Sequence, residues 1–107
     1  LPTISHFANK NFIHLLINNG CHESVGGQPT EAFRVDCTAI ARASGYQHTF
    51  LIRNEQELNH WLQNSLSSSD TQFVEIRTNA ISRPDLGRPA GDPKDWKNDF
   101  MSHLTND

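Results

Sequence analysis

A chain of 107 residues has room for one small core, and a hydrophobic fraction of 36% sits at the low end for a complete domain. A net charge of -3, a pI near 6.0 and no basic patch interleaved with aromatics remove the electrostatic case for nucleic acid. No apolar run approaches a membrane span or a signal-peptide pattern, and Cys21 and Cys37 make neither a disulfide framework nor a Cys-x-x-Cys metal pair, so a reducing cytoplasm is the default.

In chain order, the apolar run Phe12-Ile13-His14-Leu15-Leu16-Ile17 reads as a buried parallel strand. It ends abruptly in amide, glycine and small polar residues, Asn18 through Thr30, as a strand does where its carboxyl end opens into a ligand crevice. Asp36 caps a helix through Cys37, Ile40 and Ala43, and Gly45 stops it. Tyr46 to Ile52 forms a second strand. Asn54 and Glu57 resemble a capping box before Leu58, Trp61, Leu62 and Leu66, and Ser67-Ser68-Ser69-Asp70 breaks that helix. Gln72 to Arg77 is a third strand, more alternating than the first, which places it nearer a sheet edge or with one face partly wet. Proline and glycine then make Ser82 to Gly91 a surface loop. Asp92-Pro93 opens a final helix whose Trp96, Phe100 and Leu104, one turn apart, read as a core stripe. Strand alternating with helix implies an α/β fold with a parallel sheet and right-handed crossovers.

The chemistry concentrates in residues 18–30. A hard divalent ion takes oxygen ligands, and an asparagine carbonyl beside a glycine that lets the backbone turn sharply suits that role. A plain turn after a strand would use the same Asn-Asn-Gly. His22 and Glu23 are the titratable residues beside this turn, and a loop histidine serves equally for substrate contact, proton transfer or a backbone tie. Scattered His6, His14, His48, His60 and His103 lack zinc-ligand spacing. Phosphate-loop, dinucleotide and serine-hydrolase motifs are absent from these residues.

Ile17-Asn18-Asn19-Gly20 resembles the second half of the cofactor motif of thiamine diphosphate enzymes. The longer string Asn-Gly-Cys-His-Glu-Ser-Val-Gly-Gly-Gln-Pro-Thr, residues 19–30, together with Ser-Arg-Pro-Asp-Leu-Gly-Arg-Pro, residues 82–89, resembles phosphonopyruvate decarboxylases in particular. The resemblance implies that residues 1–107 are the C-terminal part of a three-layer thiamine diphosphate-binding domain, truncated at its N-terminal side, with a signature loop 18–30 and a C-terminal loop and helix 82–104. It implies Mg2+ held by the Asn19 side chain and the Cys21 main-chain carbonyl, with Gly20, Cys21, Ser24, Gly26 and Gly27 around the diphosphate. His22 becomes the catalytic candidate, and His22, Gln28, Arg83 and Arg88 become the substrate candidates, since guanidinium groups match carboxylate and phosphonate oxygens. The family's Gly-Asp-Gly element does not occur here and would fall before Leu1, so Leu1 to Ala8 correspond to the end of the helix that follows it. Glu23 is not the family's cofactor-activating glutamate, which comes from a separate pyrimidine-binding domain. The parent enzyme would convert 3-phosphonopyruvate to phosphonoacetaldehyde and CO2 in phosphonate biosynthesis, as a homo-oligomer with active sites between subunits, and the fragment alone would be inactive. A decarboxylase acting on sulfopyruvate or another 2-oxoacid is the enzymatic alternative; a noncatalytic α/β interaction domain is the alternative of another class.

Overall fold

The computed structural model describes residues 1–8, 10–81, 83–87 and 89–105. Its elements, in order, are α1 (Pro2–Phe7), β1 (Ile13–Asn18), β2 (Cys21–His22), a single 3-10 turn (Glu23–Val25), β3 (Gln28–Pro29), α2 (Cys37–Ala43), β4 (His48–Ile52), α3 (Glu55–Asn64), β5 (Gln72–Arg77) and α4 (Pro93–Thr105). Three strands form a parallel sheet in the order β1-β5-β4, and β2 and β3 form a two-residue antiparallel ladder. The alternation of strand and helix predicts this α/β sheet, and the structure has it. Among the described residues no helix is long and apolar enough to cross a membrane.

Because side chains alternate across a strand, β5 feeds both faces of the sheet. Phe73 joins Ala41 and Tyr46 on one face, where Leu1, Leu16 and Cys37 pack against them. Val74 joins Ile52 and Trp61 on the other, with Ile13, Phe50, Leu58 and Ile76 around them. Helix α2 therefore covers one face and α3 the other, giving three layers.

The edge assignment made from polarity is reversed. The pattern Gln-Phe-Val-Glu-Ile-Arg places β5 near an edge, yet β5 is the central strand, and β1 lies at an edge. Of the three polar residues that make the alternation look wet, Gln72 and Glu75 are dry because each is hydrogen-bonded. Gln72 accepts from Trp61 Nε1 at 2.9 Å and donates to the Ser65 carbonyl at 2.6 Å, while Glu75 accepts from Asn18 and Arg77. On β1, register with β5 turns Leu15 and Ile17 to the α3 side. There α3 lies over β4, and these two side chains stay 51% and 59% exposed.

The stripe on α4 is also corrected. Trp96, Phe100 and Leu104 are exposed, Phe100 by 65%, because α4 makes no extensive contact with the sheet or with the other helices. Their spacing makes an apolar face without supplying anything to bury it.

Local signals are obeyed closely. Asn54 Oδ1 accepts the Glu57 N–H at 2.9 Å, although Glu57 reaches back to the Arg53 N–H at 2.7 Å, one residue before the cap. Asp36 Oδ1 accepts the Ala39 N–H at 2.8 Å. That backbone bond, followed by the Thr38 hydroxyl, holds the Asp36 carboxyl below its ordinary value against a small opposing effect of desolvation. A depressed folded-state pKa means the stabilisation is complete above the unfolded carboxylate pKa and is lost as pH falls through the folded value. Protection of the Ala39 amide, corrected for intrinsic exchange, should therefore drop on acidification in the natural chain. In an Asp36→Ala variant it should start low and lose that acid step.

Candidate functional site

The carboxyl ends of β1, β4 and β5 lie on one edge of the sheet, and the loop from Asn19 to Thr30 leaves from that edge. Two successive amide turns shape its first residues. Asn18 Oδ1 accepts the Gly20 N–H at 3.1 Å, and Asn19 Oδ1 accepts the Cys21 N–H at 3.1 Å, so each side chain replaces a backbone acceptor. Gly20 takes φ +70, a conformation that favours glycine, and a Cβ there would lie 2.4 Å from the Phe33 ring, which would have to move. The Thr30 N–H donates to the Gly20 carbonyl at 2.8 Å and the Gly27 N–H to the His22 carbonyl at 2.9 Å, which close the loop at its base and near its tip.

Beneath the turn lies a buried ionic arrangement that sequence reading did not single out. Glu75 is 1% exposed, and its Oε1 accepts from Asn18 Nδ2 at 2.8 Å and from Arg77 Nε at 3.0 Å. Asn18 Nδ2 also donates to the Ala32 carbonyl at 3.2 Å. The Arg77 guanidinium lies over the Phe33 ring at 5.3 Å from its centroid, and that ring is the one facing Gly20. The available signal was a carboxylate inside the apolar run Phe73-Val74-Glu75-Ile76, since a buried charge demands a partner. Glu75 also adds to burial, the larger effect, in pushing the Cys37 thiol up.

The predicted site residues fall into two groups. Asn19, Gly20, Cys21, His22, Ser24, Gly26, Gly27 and Gln28 share the loop. Asn19 and Cys21 are half-buried, whereas His22, Ser24 and Gln28 are exposed. Asn19 Nδ2 donates to Glu23 Oε2 at 3.1 Å, which leaves its oxygen directed into the turn. Arg83 is exposed and meets Asp85 at 3.5 Å, a contact within its own loop. Arg88, like Ser82 at the start of that loop, lies outside the described residues.

Arginines passed over in the sequence do converge. A cavity of about 220 Å³ at the carboxyl ends of β4 and β5 is lined by Phe33, Arg34, Asp36, Arg53 and Arg77, among others. Its charge is largely matched, by Glu31 at 3.1 Å from Arg34, by Glu75, and by Asp36 in the wall. A broader depression of about 680 Å³ lies on the outer surface of α3, lined by residues from Asn54 to Gln63, remote from the loop. It is shallow and open and lacks the strand-end position that makes the loop informative.

The donor chemistry suits a hard divalent cation in kind. The Asn19 amide oxygen and the main-chain carbonyls of the turn are oxygen ligands, and an amide oxygen that accepts one N–H keeps a second lone pair. Among the described residues no group of three or more His, Cys, Asp or Glu side chains is gathered to hold a metal. The turn thus offers part of a ligand set.

The protein is of the parallel α/β class, and its closed, amide-turned loop stands at the strand ends, the place where open α/β sheets carry their ligand crevices. No family model matches the chain. Over 105 residues, 98% of its length, it is 31% identical to a phosphonopyruvate decarboxylase of Streptomyces viridochromogenes and 30% identical to one of Streptomyces hygroscopicus. The chain is therefore similar to phosphonopyruvate decarboxylases from end to end, and it spans about a quarter, 26%, of the length of each.

Proposed function

We propose that the full-length protein carrying this chain decarboxylates 3-phosphonopyruvate to phosphonoacetaldehyde and CO2, using thiamine diphosphate and Mg2+, in the cytoplasm. The observation that supports this reading most is the turn at Asn18 to Cys21, set at the carboxyl end of β1 in a chain similar to those decarboxylases along its whole length.

In this reading the Asn19 amide oxygen and the Cys21 carbonyl ligate Mg2+, and Gly20, Gly26 and Gly27 let the backbone approach the diphosphate, with Ser24 and Cys21 beside them. When bound, the cofactor supplies the electron sink that carbon-carbon cleavage at a keto acid needs. Loss of CO2 leaves an electron pair that must take up one proton before the aldehyde departs. His22, exposed on the loop, holds or moves that proton at a ring nitrogen, or hydrogen-bonds the substrate's anionic groups together with Gln28, Arg83 and Arg88. Residues 1–107 form the C-terminal part of the cofactor domain, and the remaining metal ligand, the pyrimidine-binding domain and a second subunit come from outside them.

CO2 release by the full-length protein, measured with 3-phosphonopyruvate, sulfopyruvate and pyruvate, tests this. The expected result is a preference for phosphonopyruvate, with kcat/KM at least about tenfold lower in an Asn19→Ala variant, as for loss of a group that sets metal affinity. Preference for sulfopyruvate would move the substrate within the same enzyme class. Absence of decarboxylation with every 2-oxoacid, or indifference to Asn19→Ala, would overturn the reading.

A further inference from the structure

We propose that Glu75 is the positioning residue of the metal-bearing turn: by gripping Asn18 and Arg77 together it sets the conformation in which Asn19 and Cys21 present oxygen to Mg2+. This rests on the proposed function for the ion and for its ligands Asn19 and Cys21, and on geometry for the links from Glu75 to the turn.

A carboxylate accepts hydrogen bonds and does not donate them when ionised. Glu75 Oε1 therefore selects one orientation of the Asn18 amide, with Nδ2 toward Glu75 and Oδ1 toward the Gly20 N–H. The reverse orientation would set oxygen against oxygen beneath the sheet edge and leave the Gly20 N–H without its acceptor. On its other side Glu75 holds Arg77, whose guanidinium covers the Phe33 ring that backs Gly20. One buried carboxylate thus sets both the start of the turn and the wall behind it.

Burying a charge at 1% exposure is costly unless it is paired, and apolar residues of similar volume often serve stability as well as a buried ion pair. Stability alone would be served by any buried donor to Glu75, and the donor present is Asn18, whose other end caps the Gly20 N–H of the turn. An orienting role accounts for that choice, because groups that orient the residues around a metal are worth about 10- to 100-fold in its affinity.

The test titrates Mg2+ into the metal-free full-length protein at saturating thiamine diphosphate, followed by calorimetry, with the folded fraction measured by circular dichroism. Glu75→Ala should weaken Mg2+ binding by about 10- to 100-fold. Glu75→Gln, which keeps an acceptor for Asn18, should recover part of that loss. Asn18→Ala should weaken binding comparably, and the double variant Asn18→Ala/Glu75→Ala should be little worse than either single one, because both break the same link. Gln72→Ala, equally buried in β5 but bonded to Trp61 and Ser65, should lower the melting temperature and leave Mg2+ affinity unchanged. Folded Glu75→Ala protein that binds Mg2+ within about twofold of the natural protein would overturn the inference while leaving the proposed function standing. A natural protein that binds no Mg2+ beside the cofactor would instead defeat the proposed function, and this inference with it.

Discussion

Trp61→Ala should destabilise the fold by about 3–5 kcal/mol, the usual cost of deleting a large buried aromatic. Trp61 is 5% exposed, packs on Ile52 and Val74, and donates its indole N–H to Gln72. Its removal opens a cavity under β5 and also leaves the Gln72 amide oxygen buried without that donor. Trp61→Phe separates the two effects: most of the packing survives, the indole donor does not, and the expected cost is about 1–3 kcal/mol for one unsatisfied buried acceptor. Urea-unfolding midpoints of the full-length protein and both variants check the order. Equal loss in the two would assign the stabilisation to the hydrogen bond; a harmless Trp61→Phe would mean that Gln72 finds another donor.

Gly20→Ala should cost about 1–3 kcal/mol in two parts. A left-handed conformation costs an alanine about 1–2 kcal/mol. Forcing a methyl group against the Phe33 ring, which is 46% exposed and can swing outward, adds up to about 1 kcal/mol, less than in a packed core. Here the intruding carbon would stand 2.4 Å from Phe33, so the ring must move, and Arg77 lies on its face. Combining Gly20→Ala with Phe33→Ala removes the clash and keeps the backbone strain, so part of the lost stability should return. On the proposed function, CO2 release from phosphonopyruvate should fall by at least about tenfold in Gly20→Ala, since the turn that carries Asn19 and Cys21 is displaced. A stable, fully active Gly20→Ala protein would show that the turn tolerates the change and that Phe33 yields freely.

Two strands, β1 at the edge of the sheet and β5 at its centre, show how far periodicity carries and where it stops. Phe12 to Ile17 is an apolar run and forms a strand, as expected, yet Leu15 and Ile17 face outward because α3 lies over β4. Gln72 to Arg77 contains three residues that usually seek water, Gln72, Glu75 and Arg77, and is nevertheless the central strand. Polarity is a reliable guide to exposure when a side chain has nothing to bond inside. Gln72 has Trp61 and Ser65, and Glu75 has Asn18 and Arg77.

The distinction follows from separation along the chain. Caps at Asp36 and Asn54, the stop at Gly45 and the glycine at the strand end depend on atoms a few residues away, so residue identity announces them. The loop's place at a strand's carboxyl end and the likeness of residues 19–30 to a known string were equally legible. The order β1-β5-β4 was not, nor was the pairing of Asn18 with Glu75 across 57 positions, nor the exposure of the α4 stripe. Each of those depends on which distant group arrives at a given face. A carboxylate in a strand carries the same letters whether it meets water or an asparagine and an arginine, and packing of the chain settles which.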